Sequence, residues 1–173
     1  MPVLTSSATV HSGCCLALSA PFLSHIHSLL PPPPDLILSI GSGFGLLEAL
    51  LLAADPPPSL VGIEVQPSPN RYLARDHHRE VYGTRGIHEL ASEASAWMFI
   101  YPRRVGLVEE YLEKFGNGVV KIVIWIGPRA DWEDYKGCFA GAWELHVKCA
   151  DQIGGRAWEV VAVATKSRHR SKS

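Results

Sequence analysis

Gly41, Gly43 and Gly45 stand at alternate positions in DLILSIGSGFGLLEALLLAADPPPSLVGIEV, residues 35–65. An apolar run precedes them, and a second apolar run closes on a carboxylate, Glu64, nineteen residues beyond Gly45. Where a strand turns into a helix through glycines, the backbone can approach a ligand closely and the first helical turn leaves N–H groups free. A carboxylate ending the next strand can accept hydrogen bonds from both hydroxyls of a ribose. These residue types at this spacing suit a ligand that contains a nucleoside. A ligand-free strand-to-helix turn needs fewer glycines than three.

The dinucleotide fingerprint GxGxxG requires a glycine at position 46, which here is Leu46. The pattern is GxGxG, and it lacks the third glycine that brings helix and strand together under a pyrophosphate. NAD and FAD are therefore disfavoured.

The elements that must position these residues are legible to different degrees. Residues 1–18 show no convincing period. From Pro21, the residues Phe22, Leu23, Ile26, Leu29 and Leu30 share one helical face, with Ser19 placed to cap it and prolines 31–34 to stop it. Residues 35–40 form a buried-strand run, 46–54 an apolar helix, and 60–65 a second strand. Residues 68–80 carry a helix start signal and a charged face, 81–82 a very short strand, and 87–94 a helical turn or two. A strand over 96–101, a helix over 105–115 and the clearest strand of the chain over 119–126 follow. A short helix fits 131–139, and the runs 143–149 and 158–165 read as an antiparallel pair. Alternation of strands and helices implies an α/β fold: a mostly parallel sheet with helices on both faces and an antiparallel strand at its C-terminal edge. The expected organisation is an N-terminal segment and helix over 1–34, a ligand-binding domain over 35–166, and a basic, frayed tail over 167–173.

GxGxG after a first strand, with an acid ending the second, resembles the class I S-adenosylmethionine-dependent methyltransferases. The resemblance rests on LSIGSGFG and VGIEV and extends through the order of elements to residue 165. It implies a Rossmann-like three-layer sandwich with a seven-stranded (or six-stranded) sheet, and S-adenosylmethionine as cofactor. By similarity, Gly41, Ser42, Gly43 and Gly45 would wrap the methionine and ribose portions, and Glu64 would hold the ribose hydroxyls. Val65 and Gln66 would border the adenine. The family usually carries Asp or Glu two residues before the first glycine, to orient the cofactor's amino group. Here that position is Ser39, which can hydrogen-bond but bears no charge.

In an open parallel sheet the ligand crevice lies at the carboxyl ends of the strands. The strand over 96–101 ends in Tyr101-Pro102-Arg103-Arg104, where the family often carries its catalytic or substrate-positioning motif. Tyr101 would orient a nucleophile, and Arg103 would bind a substrate carboxylate or phosphate through its planar fork. Arg85, Arg103 and Arg129 each follow a strand end, which could make an anion-binding rim. Methyl transfer requires chiefly alignment, with a base where the nucleophile must lose a proton. His77 and His78 read as residues of a solvated helix face, and His25, His27 and His88 are not convincing bases.

The 173 residues fit one domain, 47% hydrophobic and 19% charged, with a formal net charge of -1. That balance offers no field to draw nucleic acid or an anionic membrane. The four cysteines have neither disulfide-framework nor zinc spacing, so no metal is expected and a reducing, cytoplasmic setting is. The run over 14–30 is interrupted by Pro21, His25 and His27 and has no basic start, so it reads as neither signal peptide nor membrane span. The five tryptophans read as core or interface anchors, which leaves room for a homodimer. The leading expectation is a methyltransferase acting on a small molecule. A methyltransferase-like domain without transfer chemistry, serving as a binding partner or non-redox catalyst, is the alternative. A nicotinamide-dependent oxidoreductase is third, disfavoured by Leu46 and by the lack of a Tyr-x-x-x-Lys pair.

Overall fold

The computed structural model describes residues 1–167. A hairpin of β1 (Thr9–His11) and β2 (Cys14–Leu18) leads into α1 (Ala20–Leu29). Then come β3 (Leu36–Ile40), α2 (Leu46–Leu52), β4 (Ser59–Val65), β5 (His78–Val81) and β6 (Ala96–Ile100). The chain continues through α3 (Val105–Phe115), β7 (Ile122–Pro128), α4 (Arg129–Tyr135), β8 (Trp143–Cys149) and β9 (Glu159–Lys166). Strands β3 to β9 form one seven-stranded sheet in the order β5-β4-β3-β6-β7-β9-β8. Pairs among β5, β4, β3, β6 and β7 are parallel, and β9 runs antiparallel to both β7 and β8.

Side chains on a strand alternate between faces, so a strand covered on both sides reads as an unbroken apolar run. On β6, Trp97 and Phe99 pack toward Val108 and Tyr111 of α3, while Ala96 and Met98 pack toward the opposite layer. On β7, Val123 and Trp125 share the α3–α4 face, whereas Ile124 and Ile126 face the other core. That second core holds Phe22 and Ile26 of α1, Leu47 and Leu51 of α2, and Leu16 and Leu18 of β2. The result is a three-layer sandwich. Ser19 caps α1 as expected, its Oγ accepting from Phe22 N–H at 3.1 Å. Trp97, Trp125 and Trp132 are core residues, but Trp158 is 56% exposed with Arg156 over its ring.

Two expectations are corrected. Residues 1–18 are not patternless: Cys14, Leu16 and Leu18 of β2 face the core, while the partner strand β1 is polar and largely exposed. A strand paired with so short and solvated a neighbour leaves no period to detect. The helix expected over 68–80 does not form. Asn70 accepts from Leu73 N–H and donates to Leu73 C=O, closing a turn, and a single 3-10 turn at Arg75–His77 precedes β5. β5 then pairs with β4 at the sheet edge, where Arg79 and Glu80 are both exposed and HREV can be polar. Of the tail expected over 167–173, Ser167 is described, and its N–H donates to Ala142 C=O at 2.7 Å. The rest of that tail, 168–173, lies outside the described residues. No helix among the described residues is long and apolar enough to cross a membrane.

Candidate functional site

At the carboxyl ends of β3, β4 and β6 a crevice of about 690 Å³ opens, within the range of small-molecule and cofactor sites. Its floor is the β3–α2 loop. The N–H groups of Gly41 and Ser42 both donate to Ile63 C=O, at 2.8 and 3.0 Å, which pins the loop to β4. Gly41, Ser42 and Gly43 line the crevice. A Cβ on Gly41 or Gly43 would meet nothing within 4 Å, so the bare backbone faces open space where a ligand can lie.

Gly45 has another task. It does not line the crevice, contrary to expectation; a Cβ there would come within 2.8 Å of Leu73 Cγ and 2.9 Å of Asn70 Oδ1. Its absence lets the turn after β4 pack against the start of α2.

Glu64 is fixed over the loop. Gly43 N–H donates to its Oε2 and Val65 N–H to its Oε1, each at 2.8 Å. A carboxylate has lone pairs beyond those two bonds, so acceptor capacity remains on the crevice side. Val65 and Gln66 continue the wall, and Gln66 N–H donates to Val81 C=O at 2.9 Å. Beyond β5, Thr84 and Gly86 complete that side. The segment expected as a helix therefore contributes a strand and a wall of the site.

Ser39 does not line the crevice. It is 1% exposed, and its Oγ donates to Glu48 Oε1 at 2.6 Å. Glu48, which the sequence reading passed over, does line it. This carboxyl is 2% exposed, and burial pushes it up to about 7, with Glu64 adding to the rise and the Ser39 hydrogen bond opposing it. A signal was present. Glu48 is the one polar residue in LLEALLL, a helix otherwise apolar on every face.

The opposite wall comes from the hairpin, through Cys14, Cys15 and Leu16. Gly13 at its turn lies flat on Phe44 of the glycine loop, where a Cβ would fall 1.9 Å from Cδ2. Burial pushes the Cys14 thiol up to about 11, with Glu48 contributing, so it stays protonated.

Tyr101 and Arg103 both reach the crevice. Tyr101 is the one non-glycine residue with positive φ among the described residues, at 50°. Its hydroxyl donates to Glu159, which is completely buried, and accepts from Arg156 at 3.3 Å. Arg156 in turn holds Glu159 through two bonds of 2.9 and 2.8 Å and donates to Cys15 C=O at 2.9 Å. Burial and the Glu159 carboxylate raise the phenol well above its ordinary value. The hydroxyl is thus a strut between β6, β9 and the hairpin. Tyr101→Phe is expected to lower unfolding free energy by about 1–2 kcal/mol, read by urea denaturation. An unchanged midpoint would mean that the Arg156–Glu159 pair holds this corner alone.

Arg103 is exposed and has no side-chain hydrogen-bond partner among the described residues. The wider arginine rim does not assemble. Arg129 instead donates to Cys149 Sγ at 2.8 Å, because its N–H bonds Trp158 C=O and carries it over β9. Arg85 does not line the crevice either. Among the described residues no histidine lines it, and most have structural partners. His77 Nδ1 meets Leu60 C=O at 2.8 Å, His78 Nε2 meets Ser68 Oγ at 3.0 Å, and His88 Nδ1 accepts from Leu90 N–H at 3.1 Å.

No protein-family model matches the chain, and no curated protein matches it in sequence. Solved structures do match in three dimensions. The methyltransferase domain of a bacterial Hen1 protein superposes with a TM-score of 0.61 at 14% identity, over 84% of this chain and 97% of that one. Precorrin-6y C5,15-methyltransferase from Geobacter metallireducens gives 0.62 at 11% identity, over 92% and 94%. A dimethyladenosine transferase from Plasmodium falciparum gives 0.56 at 11% identity, over 84% and 60%. With the sheet order and the glycine loop at its switch point, these likenesses show that the chain has the fold of the class I S-adenosylmethionine-dependent methyltransferases.

Proposed function

We propose that the crevice binds S-adenosylmethionine and that the protein is a methyltransferase acting on a small molecule. The observation that carries this is Glu64, held by the N–H of Gly43 over a glycine loop whose free face is open. A nucleoside ribose needs such an acceptor pair beside bare backbone. Gly41, Ser42 and Gly43 would support the amino-acid and ribose portions, Glu64 the ribose hydroxyls, and Val65 and Gln66 the adenine. The bound sulfonium would supply an electrophilic methyl group.

The chain's own part is alignment. The hairpin wall and the Tyr101 corner hold an acceptor against the methyl donor, and Arg103 binds a carboxylate or phosphate on that acceptor. Tyr101 acts through its place in the wall, since its hydroxyl is bonded to Glu159 and Arg156. With no histidine among the described residues in the crevice, the acceptors that fit best are those needing no strong base. That same observation supports the second reading, a cofactor-binding domain without transfer chemistry.

Calorimetric titration with S-adenosylmethionine, S-adenosylhomocysteine and NADH tests the cofactor. Micromolar binding of the two sulfur ligands and none of NADH is expected; heat from NADH alone would overturn the reading. Glu64→Ala should weaken the sulfur ligands by about 1–3 kcal/mol, through loss of hydrogen bonds to buried hydroxyls. Labelled-methyl transfer to a panel of small anionic acceptors then separates enzyme from binding module.

A further inference from the structure

Among the described residues Glu48 is an acid without a counter-charge. It lines the crevice, as do Leu16, Ile40 and Leu47, and among the described residues it forms no ion pair. Its hydrogen bond from Ser39 is a neutral one. Among the described residues the groups that face it offer no cation: Glu64 on β4 adds negative charge, and Cys14 on β2 is a protonated thiol. From α1, Phe22 and Ile26 turn apolar surface to this core. Burying an ionised carboxylate in such surroundings is unfavourable unless a positive group is brought to it. The carboxyl therefore holds its proton readily in the ligand-free protein.

We infer that Glu48, steadied by Ser39, receives the ammonium group of the bound ligand's amino-acid end and releases its own proton as that cation arrives. The inference rests on the cofactor reading above. The carboxyl O–H bond breaks, the proton passes to solvent, and the ligand's ammonium keeps its three hydrogens. The acid missing at position 39 is thereby supplied from α2, one layer behind the strand, and its ionisation waits for the ligand. Cofactor capture becomes coupled to pH.

Calorimetry with S-adenosylhomocysteine, in two buffers of different ionisation enthalpy, measures both affinity and proton release. 5′-Methylthioadenosine, which keeps the nucleoside thioether but has no ammonium, is the comparison ligand. S-adenosylhomocysteine affinity should rise about tenfold from pH 5.5 to 7.5, with release of up to one proton. 5′-Methylthioadenosine affinity should stay level. Glu48→Gln should remove the pH dependence and the proton release, and weaken S-adenosylhomocysteine about tenfold at pH 7.5, leaving 5′-methylthioadenosine unchanged. Ser39→Ala should keep the proton release but move it to higher pH, since the lost hydrogen bond favours the ionised form. Binding of both ligands with no pH dependence and no effect of Glu48→Gln would overturn this inference and leave the cofactor reading standing. Failure of both ligands to bind would overturn the two together.

Discussion

Trp97→Ala is expected to lower the unfolding free energy by about 3–5 kcal/mol, the range for truncating a large buried aromatic. Trp97 is completely buried on β6, in the middle of the sheet. Its ring meets Tyr111 of α3 edge-on at 5.8 Å, and its Nε1–H donates to Ala91 C=O at 3.3 Å. Alanine would leave a cavity between sheet and helix and a carbonyl without its donor. The effect should reach the crevice, because Tyr111 lines it and its hydroxyl accepts from His88 N–H at 3.2 Å. Urea unfolding with an unchanged m-value and a lowered midpoint would match this expectation. A loss below about 1 kcal/mol would mean that neighbouring side chains refill the space.

Glu48→Gln should act in the opposite direction, and only above acid pH. In the folded protein this carboxyl is raised from an ordinary 4.5 to about 7, chiefly by burial. Between those values the folded state keeps a proton that the unfolded chain gives up. Stability contributed by this group is therefore full below pH 4.5 and is lost as pH rises toward and through 7. Glutamine retains an oxygen for Ser39 and cannot ionise. At pH 8 the variant should be the more stable protein by up to about 3 kcal/mol, while at pH 4 the two should nearly coincide. Paired urea titrations across that range measure the difference, in which the other titrating groups cancel. Equal stability at pH 8 would mean that water reaches the carboxylate. A residue that weakens the fold at neutral pH yet borders the ligand crevice is the pattern of a group retained for binding.

Much of the scaffold was legible because its signals are local. β6 and β7 are covered on both faces, so their sequences are unbroken apolar runs. Helix α3 begins and ends where period and the Gly116-Asn117-Gly118 stop place it. Elements whose identity depends on a distant partner were not legible. HREV becomes β5 because β4 presents an open edge to it, and β2 because a core beneath accepts Cys14, Leu16 and Leu18. Neither condition is written in the segment itself.

By itself the sequence determined the α/β class, the glycine loop between β3 and α2, and the carboxylate that ends β4. Each is encoded within a few neighbouring residues, by period, turn chemistry and strand-end position. Only the tertiary structure divided that loop's labour, with Gly41 and Gly43 open to the crevice and Gly45 packed against Leu73. It also tied Tyr101 to Glu159 across 58 residues and turned Ser39 away from the crevice toward Glu48. The physical reason is that charge and hydrogen bonding act through space. Whether a glutamate in an apolar helix is a flaw or a site depends on the cavity beside it, and that cavity exists only once β2, β3 and α2 have come together.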